Sequence, residues 1–161
     1  MPPRILIVDD HEIVRVGIRT LLNGSRPQWE ICGEVTSGKE AIEAAGVLAP
    51  DVIILDVTMP GMSGIETASR ITNLGLRSMT LIFTMHESAA LIAEVRASGA
   101  RGYVAKSQAS RDLVLAIESL LAGGSFYGEA ESRASAKKSD EPNLGMSFSL
   151  VFACLIPKCA F

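Results

Sequence analysis

Along the chain, short apolar runs alternate with longer stretches whose apolar positions recur every three or four residues. Ile5 to Val8 is an unbroken apolar run, which predicts a strand buried on both faces. From His11 to Leu22, Ile13, Val14, Val16, Ile18, Leu21 and Leu22 fall at helical spacing, and the pattern closes near Asn23-Gly24. Trp29 to Val35 predicts a second strand. A helix over Ser37 to Leu48 follows, capped by Ser37 and stopped before Pro50. Val52 to Leu55, Met79 to Thr84 and Tyr103 to Ala105 complete the strands. Helices are predicted over Gly64 to Asn73, Ser88 to Ala97 (ended by Gly99) and Ser110 to Leu121 (ended by Gly123-Gly124). Strand and helix alternate with short connections, the mark of an α/β, doubly wound, five-stranded parallel sheet with helices on both faces and right-handed crossovers.

The pattern fails near residue 129. GEAESRASAKKSDEPNLG is polar and rich in small residues, and MSFSLVFACLIPKCAF is apolar without a clear period. Residues 1–126 are therefore expected to form one domain. Residues 127–161 read as a linker and an atypical, poorly ordered tail.

Composition narrows the function classes. At 161 residues with 48% apolar content, the chain can bury a proper core. Its net charge of −3 is spread without a basic module: residues 1–126 hold 14 acids against 11 Lys or Arg, and the remainder holds four of each. Duplex binding by this chain is not expected. Cys32, Cys154 and Cys159 have neither disulfide-framework nor zinc spacing, so reduced thiols are expected. MPPRILIVDD lacks the apolar stretch of a signal peptide, and Leu150 to Ile156 is far short of the ~20 residues of a spanning helix. A cytoplasmic protein without membrane contact is the expectation.

Ligands of such sheets sit outside the carboxyl ends of the strands. Those ends carry Asp9 and Asp10, then Asp56, Thr84 and Lys106. Taken alone, Asp9-Asp10 would suit a helix start, Thr84 a strand end and Tyr103 a packing position. Together, three acids that converge repel one another unless a cation joins them, and an all-oxygen donor set suits Mg2+. Lys106 adds a second positive charge. The group that fits is a phosphoryl group, with Asp56 as a carboxylate nucleophile. His11 and His86 read as surface residues beside this rim, and Met59, Met62, Met79 and Met85 as packing.

The stretches ILIVDDHEIVRVGI, DVIILDVTMPGMSGIE, TLIFTMHE and GARGYVAKSQASRDLVLAI together resemble a response-regulator receiver domain of two-component signalling, over residues 3 to about 124. The wording VDDH, TMPGMSG and TMHE is similar to the nitrate-response subfamily, whose members usually end in a helix-turn-helix. The resemblance implies a flavodoxin-like strand order of 2-1-3-4-5. It implies phosphorylation at Asp56, with Mg2+ held by Asp10, by Asp9 through water, by Asp56 and by the Thr58 backbone carbonyl. It makes Thr84 the switch hydroxyl, Tyr103 the aromatic residue that turns inward with it, and Lys106 the phosphate-pairing lysine. Many receivers have proline after that lysine; here Ser107 follows. The implied donor is a sensor histidine kinase. The chain would be no conventional enzyme, catalysing only its own Mg2+-dependent phosphorylation and dephosphorylation.

Two other phosphate-handling classes share the topology. A haloacid-dehalogenase-type phosphatase needs a second acid where Thr58 stands, and a flavodoxin-type module needs a phosphate loop where DDHEIV stands. The residues after Tyr127 show no two-helix pattern, so the chain reads as a receiver without its DNA-binding half, or as a fragment of a transcription regulator. Its switching face is expected on helix Ser88–Ala97, the fifth strand and helix Ser110–Leu121. Ile92, Val95, Leu113 and Ile117 are candidate packing residues there, and the face is expected to form a phosphorylation-dependent contact, a homodimer.

Overall fold

The computed structural model describes residues 1–128; the expectations for the tail, Cys154 and Cys159 lie outside the described residues. The elements are β1 (Arg4–Val8), α1 (Glu12–Ser25), β2 (Glu30–Val35), α2 (Gly38–Leu48), β3 (Val52–Leu55), α3 (Gly64–Asn73), β4 (Met79–Thr84), α4 (Ala89–Ala97), β5 (Gly102–Ala105) and α5 (Ala109–Leu121). A single 3-10 turn, Lys106–Gln108, leads into α5. All strand pairs are parallel, in the order β2-β1-β3-β4-β5.

The strand pleat sorts the core into two layers. Ile5, Ile7, Val52, Ile54, Leu81 and Phe83 point to one face, where Ile18 and Leu22 of α1 and Leu113, Ile117 and Leu120 of α5 cover them. Leu6, Val8, Ile53, Leu55 and Ile82 point to the other, against Ala41 and Ala45 of α2, Ala68 and Ile71 of α3, and Val95 of α4. Each fully buried Ile or Leu contributes roughly 1.5–3 kcal/mol relative to exposure, so the two layers hold the sheet flat against its helices. The edge strand β2 is only half-buried, which explains its more polar composition.

Serines start three helices. Ser37, Ser63 and Ser88 accept the backbone N–H of Glu40, Glu66 and Leu91 at 3.3, 3.2 and 3.1 Å. Each such cap is worth about 1 kcal/mol. Helix α1 starts differently: His11 is the N-cap residue without a side-chain cap bond, and Asp9 Oδ1 accepts the His11 N–H at 2.8 Å.

Several expectations need correction. Helix α1 continues past Asn23-Gly24 to Ser25; Pro27, which cannot continue a helix, follows its C-cap residue Arg26. Met85 is 71% exposed and packs against no core. Val95, Leu113 and Ile117 are fully buried, so they face the sheet rather than a partner. The apolar side of each of these helices belongs to the core.

The chain also continues to pack after α5. At Gly123 the backbone takes a left-handed turn (φ +84°) that suits glycine and reverses the chain. The Phe126 N–H donates to the Arg101 carbonyl (3.1 Å), and the Tyr103 N–H donates to the Phe126 carbonyl (2.7 Å). Tyr127 is buried, donates its hydroxyl to the Ala100 carbonyl at 2.9 Å, and lies under the Arg96 guanidinium, 3.8 Å from the ring centroid. Phe126 and Tyr127 thus run along the outer edge of β5, an edge that would otherwise present unpaired backbone groups.

Candidate functional site

The carboxyl ends of β1, β3, β4 and β5 form one rim. Asp9 and Asp10 follow β1 directly, and Asp56 follows β3, where its N–H is fixed by the Val8 carbonyl at 3.0 Å. After Asp56 the chain must turn back at once, because the Gly64 N–H at the start of α3 donates to the Val57 carbonyl at 2.9 Å. A Cβ on Gly64 would stand 2.0 Å from the Asp56 carbonyl oxygen, so only glycine lets α3 come this close.

The rim gathers the predicted acids. Asp9, Asp10, His11 and Asp56 each offer a ligand atom within 4.8 Å of the others. Asp9 and Asp56 are buried, at 1% and 3% exposure. Burying two carboxylates side by side costs several kcal/mol unless a cation offsets it. Lys106, at the exit of β5, is the described cation that does so: its Nζ lies 2.7 Å from Asp9 Oδ2 and 3.2 Å from Asp56 Oδ1. Its closer partner is Asp9, so the lysine spans both acids rather than belonging to Asp56 alone.

Burial pushes the Asp56 carboxyl above the usual range; the Lys106 ammonium opposes that shift, the Asp9 charge adds to it, and a Thr58 backbone N–H bond works with Lys106. Thr58 itself is exposed, and its amide rather than its carbonyl makes the described contact with Asp56.

Thr84 ends β4 fully buried, and its hydroxyl accepts the His86 N–H at 3.2 Å. Tyr103 is 4% exposed and donates its phenol to the His86 carbonyl at 2.7 Å; burial, then the Glu87 charge, raises its pKa. This ring is already inside, so an inward turn is not left to be made from this conformation. Both residues grip the same backbone unit at His86, whose side chain stays exposed.

Sequence reasoning set His11 aside as a surface residue. It is exposed, yet its Nδ1 lies 3.2 Å from Asp9 Oδ1 and 3.1 Å from Asp10 Oδ1. Its place directly after the two acids was the only available signal. The donor set fits Mg2+: hard carboxylate oxygens converge, and Asp10 Oδ1 is buried without a hydrogen-bond partner. An oxygen of that kind is costly to leave unpaired and is what a cation would satisfy.

The comparisons agree with this geometry. The family model of the response regulator receiver domain matches residues 5–118. The chain is 36% identical over 131 residues to the nitrate/nitrite response regulator protein NarL of Escherichia coli strain K12, which covers 80% of this chain and 59% of that protein. The chain thus spans about three fifths of that relative's length. Among solved structures, a two-component response regulator of the LuxR family from Aurantimonas sp. SI85-9A1 superposes with a TM-score of 0.79 at 36% identity, covering 86% of this chain and 99% of that one. The isolated REC domain of RcsB from Salmonella enterica serovar Typhimurium, solved with the phosphomimetic BeF3-, gives 0.75 at 29% identity, covering 83% and 98%. With the sheet order, the matched span and these relatives in agreement, the chain belongs to the response-regulator receiver domain family.

Proposed function

We propose that this chain is the phosphoacceptor of a two-component relay, taking a phosphoryl group on Asp56 from a histidine kinase. The carrying observation is the buried Asp56 carboxylate, held by the Lys106 ammonium and the Thr58 amide beside two further acids. An Asp56 oxygen attacks phosphorus of the donor's phosphohistidine. The O–P bond forms as the N–P bond breaks, and the leaving imidazole takes up a proton. The product is an aspartyl phosphate. Asp9, Asp10, Asp56 and the Thr58 carbonyl would hold Mg2+, which supplies charge neutralisation for the transferring oxygens when bound.

Lys106 does the remaining electrostatic work. Poised between Asp9 and Asp56, it can stay on Asp9 while donating to a phosphoryl oxygen on Asp56. The added charge calls for a further donor, and the Thr84 hydroxyl at the end of β4 supplies it. That hydroxyl accepts from the His86 N–H, and Tyr103 donates to the His86 carbonyl. Movement of Thr84 therefore pulls on the segment between β4 and α4. The surface that changes is this segment together with α4, where it would meet a second copy of the chain. Tyr103 and Thr84 act as the positioning pair of that switch.

Among the described residues, no helix is long and apolar enough to cross a membrane. The second reading is a fragment of a DNA-binding transcription regulator whose helix-turn-helix half is missing, favoured by relatives that exceed this chain in length; a reading frame in the source DNA that continues into a helix-turn-helix would support it. The primary reading is tested with a small phosphodonor such as acetyl phosphate. Intact-mass measurement should show one phosphoryl group on the parent with Mg2+, none with chelator, and none on Asp56→Asn. Equal uptake by parent and variant would overturn the assignment.

A further inference from the structure

We propose that His11 is a ligand of the cation at this rim and tilts the site toward metals that favour imidazole nitrogen. The inference rests on the reading that the rim holds a divalent cation. His11 is the first residue after the acid pair, and its ring turns back over the carboxylates instead of following α1 outward. Nδ1 stands 3.2 Å from Asp9 Oδ1 and 3.1 Å from Asp10 Oδ1. In an octahedral shell with ligands at ~2.1 Å, adjacent corners are ~3.0 Å apart. Each of the two nitrogen–oxygen separations therefore matches the distance between neighbouring corners.

A hydrogen bond accounts for only part of this. The Nδ1 contact with Asp9 Oδ1 has hydrogen-bond geometry, whereas Asp10 Oδ1, although close, has no hydrogen-bond partner. An imidazole serving only to tether the loop would leave that buried oxygen unpaired, at a desolvation cost. A cation between Asp10 Oδ1 and Nδ1 satisfies both atoms, with the ring proton on Nε2, which His11's exposure leaves to water.

The consequence is selectivity. Mg2+ gains little from nitrogen and keeps its waters, while affinity for an N/O site rises through Mn2+ and Co2+ to Ni2+. His11 then contributes little to Mg2+ binding and much to Ni2+ binding.

Isothermal titration of the full chain, with any affinity tag removed, tests this with Mg2+, Mn2+ and Ni2+ on the parent, His11→Gln and His86→Gln. The last removes the only other imidazole in the chain. Loss of a group that holds a metal typically costs tenfold or more, so His11→Gln should weaken Ni2+ by about tenfold or more. Its Mg2+ affinity should stay at the parental value, and His86→Gln should match the parent throughout. Metal-free circular dichroism confirms that each variant folds. If His11→Gln loses Ni2+ and Mg2+ in equal proportion, or loses neither, His11 merely orients carboxylates and the proposal is wrong while the phosphoacceptor reading stands. If the parent binds no cation, both fall together.

Discussion

Replacing Gly64 by alanine adds one methyl group and should disable the site from behind. The new Cβ would lie 2.0 Å from the Asp56 carbonyl oxygen, 2.8 Å from its carbonyl carbon and 2.9 Å from Val57 Cα, where real contacts stay beyond 3.0 Å. The clashing atoms are backbone, so no side chain can swing away. Either α3 retreats or the peptide after Asp56 moves, by about 1 Å, to restore ordinary contact. Helix α3 has little room, because Thr67, Ala68 and Ile71 are buried and Thr67 Oγ1 lies 2.2 Å from where a Cβ on Gly38 would sit. The strand exit therefore yields. Forced shifts of this kind cost about 1–3 kcal/mol of stability. A misplacement of about 1 Å at a reacting group costs on the order of 100-fold in rate. Gly46, exposed within α2 with nothing near its would-be Cβ, is the matched control. There the same change should stabilise the fold by roughly 0.5–1 kcal/mol and leave phosphorylation alone. Urea denaturation and the initial rate of phosphoryl uptake from acetyl phosphate measure the two effects. A Gly64→Ala protein that melts and phosphorylates like the parent would refute the argument that α3 packs directly on the reacting strand end.

Further outcomes follow from the same geometry. The folded-state pKa of Asp56 is raised by burial, so the folded protein holds this proton more tightly than the unfolded chain. Its contribution to stability is complete below the unfolded value of about 3.9 and is lost as pH rises through the folded value. Without added metal, Asp56→Asn should thus be more stable than the parent at neutral pH, and the gain should vanish in acid; a gain independent of pH would contradict it. The same shift predicts that phosphoryl uptake fails on acidification at a pH above the ordinary aspartate range. Tyr127→Ala should cost about 3–5 kcal/mol as a buried aromatic, and Tyr127→Phe about 1 kcal/mol for the bond to Ala100. Urea midpoints equal to the parent's would show that Tyr127 does not belong to the folded unit.

What the sequence made legible follows from how local each signal is. Strands β3 and β4 have the expected bounds, because an unbroken apolar run (Val52–Leu55) and a short β-favouring run around Leu81–Phe83 leave little choice of element. The cap serines at positions 37, 63 and 88 act on residues three further along, again within reach of sequence. The convergence of Asp9, Asp10, Asp56 and Lys106 was readable because parallel strands bring their carboxyl ends to one rim. Non-local contacts were not. Tyr127 follows a Gly-Gly-Ser stretch and reads as linker, and only the return of the chain along β5 places it in the core. Val95, Leu113 and Ile117 show which side of a helix is apolar, but not whether a sheet or a partner covers it. His11 looks like any polar residue at a helix start until its ring is seen over the acids.

The central claim is that Asp56, and no neighbouring acid, carries the phosphoryl group. An aspartyl phosphate is an acyl phosphate, which borohydride reduces so that the aspartate becomes homoserine. Treating the chain with acetyl phosphate and Mg2+, reducing it, and sequencing the peptides that contain residues 5–12 and 52–64 reads the position directly. The account predicts homoserine at position 56, with Asp9 and Asp10 intact and no homoserine in chelator. Homoserine at Asp9 or Asp10, or an unmodified Asp56 in a protein that has demonstrably taken up phosphate, would contradict it.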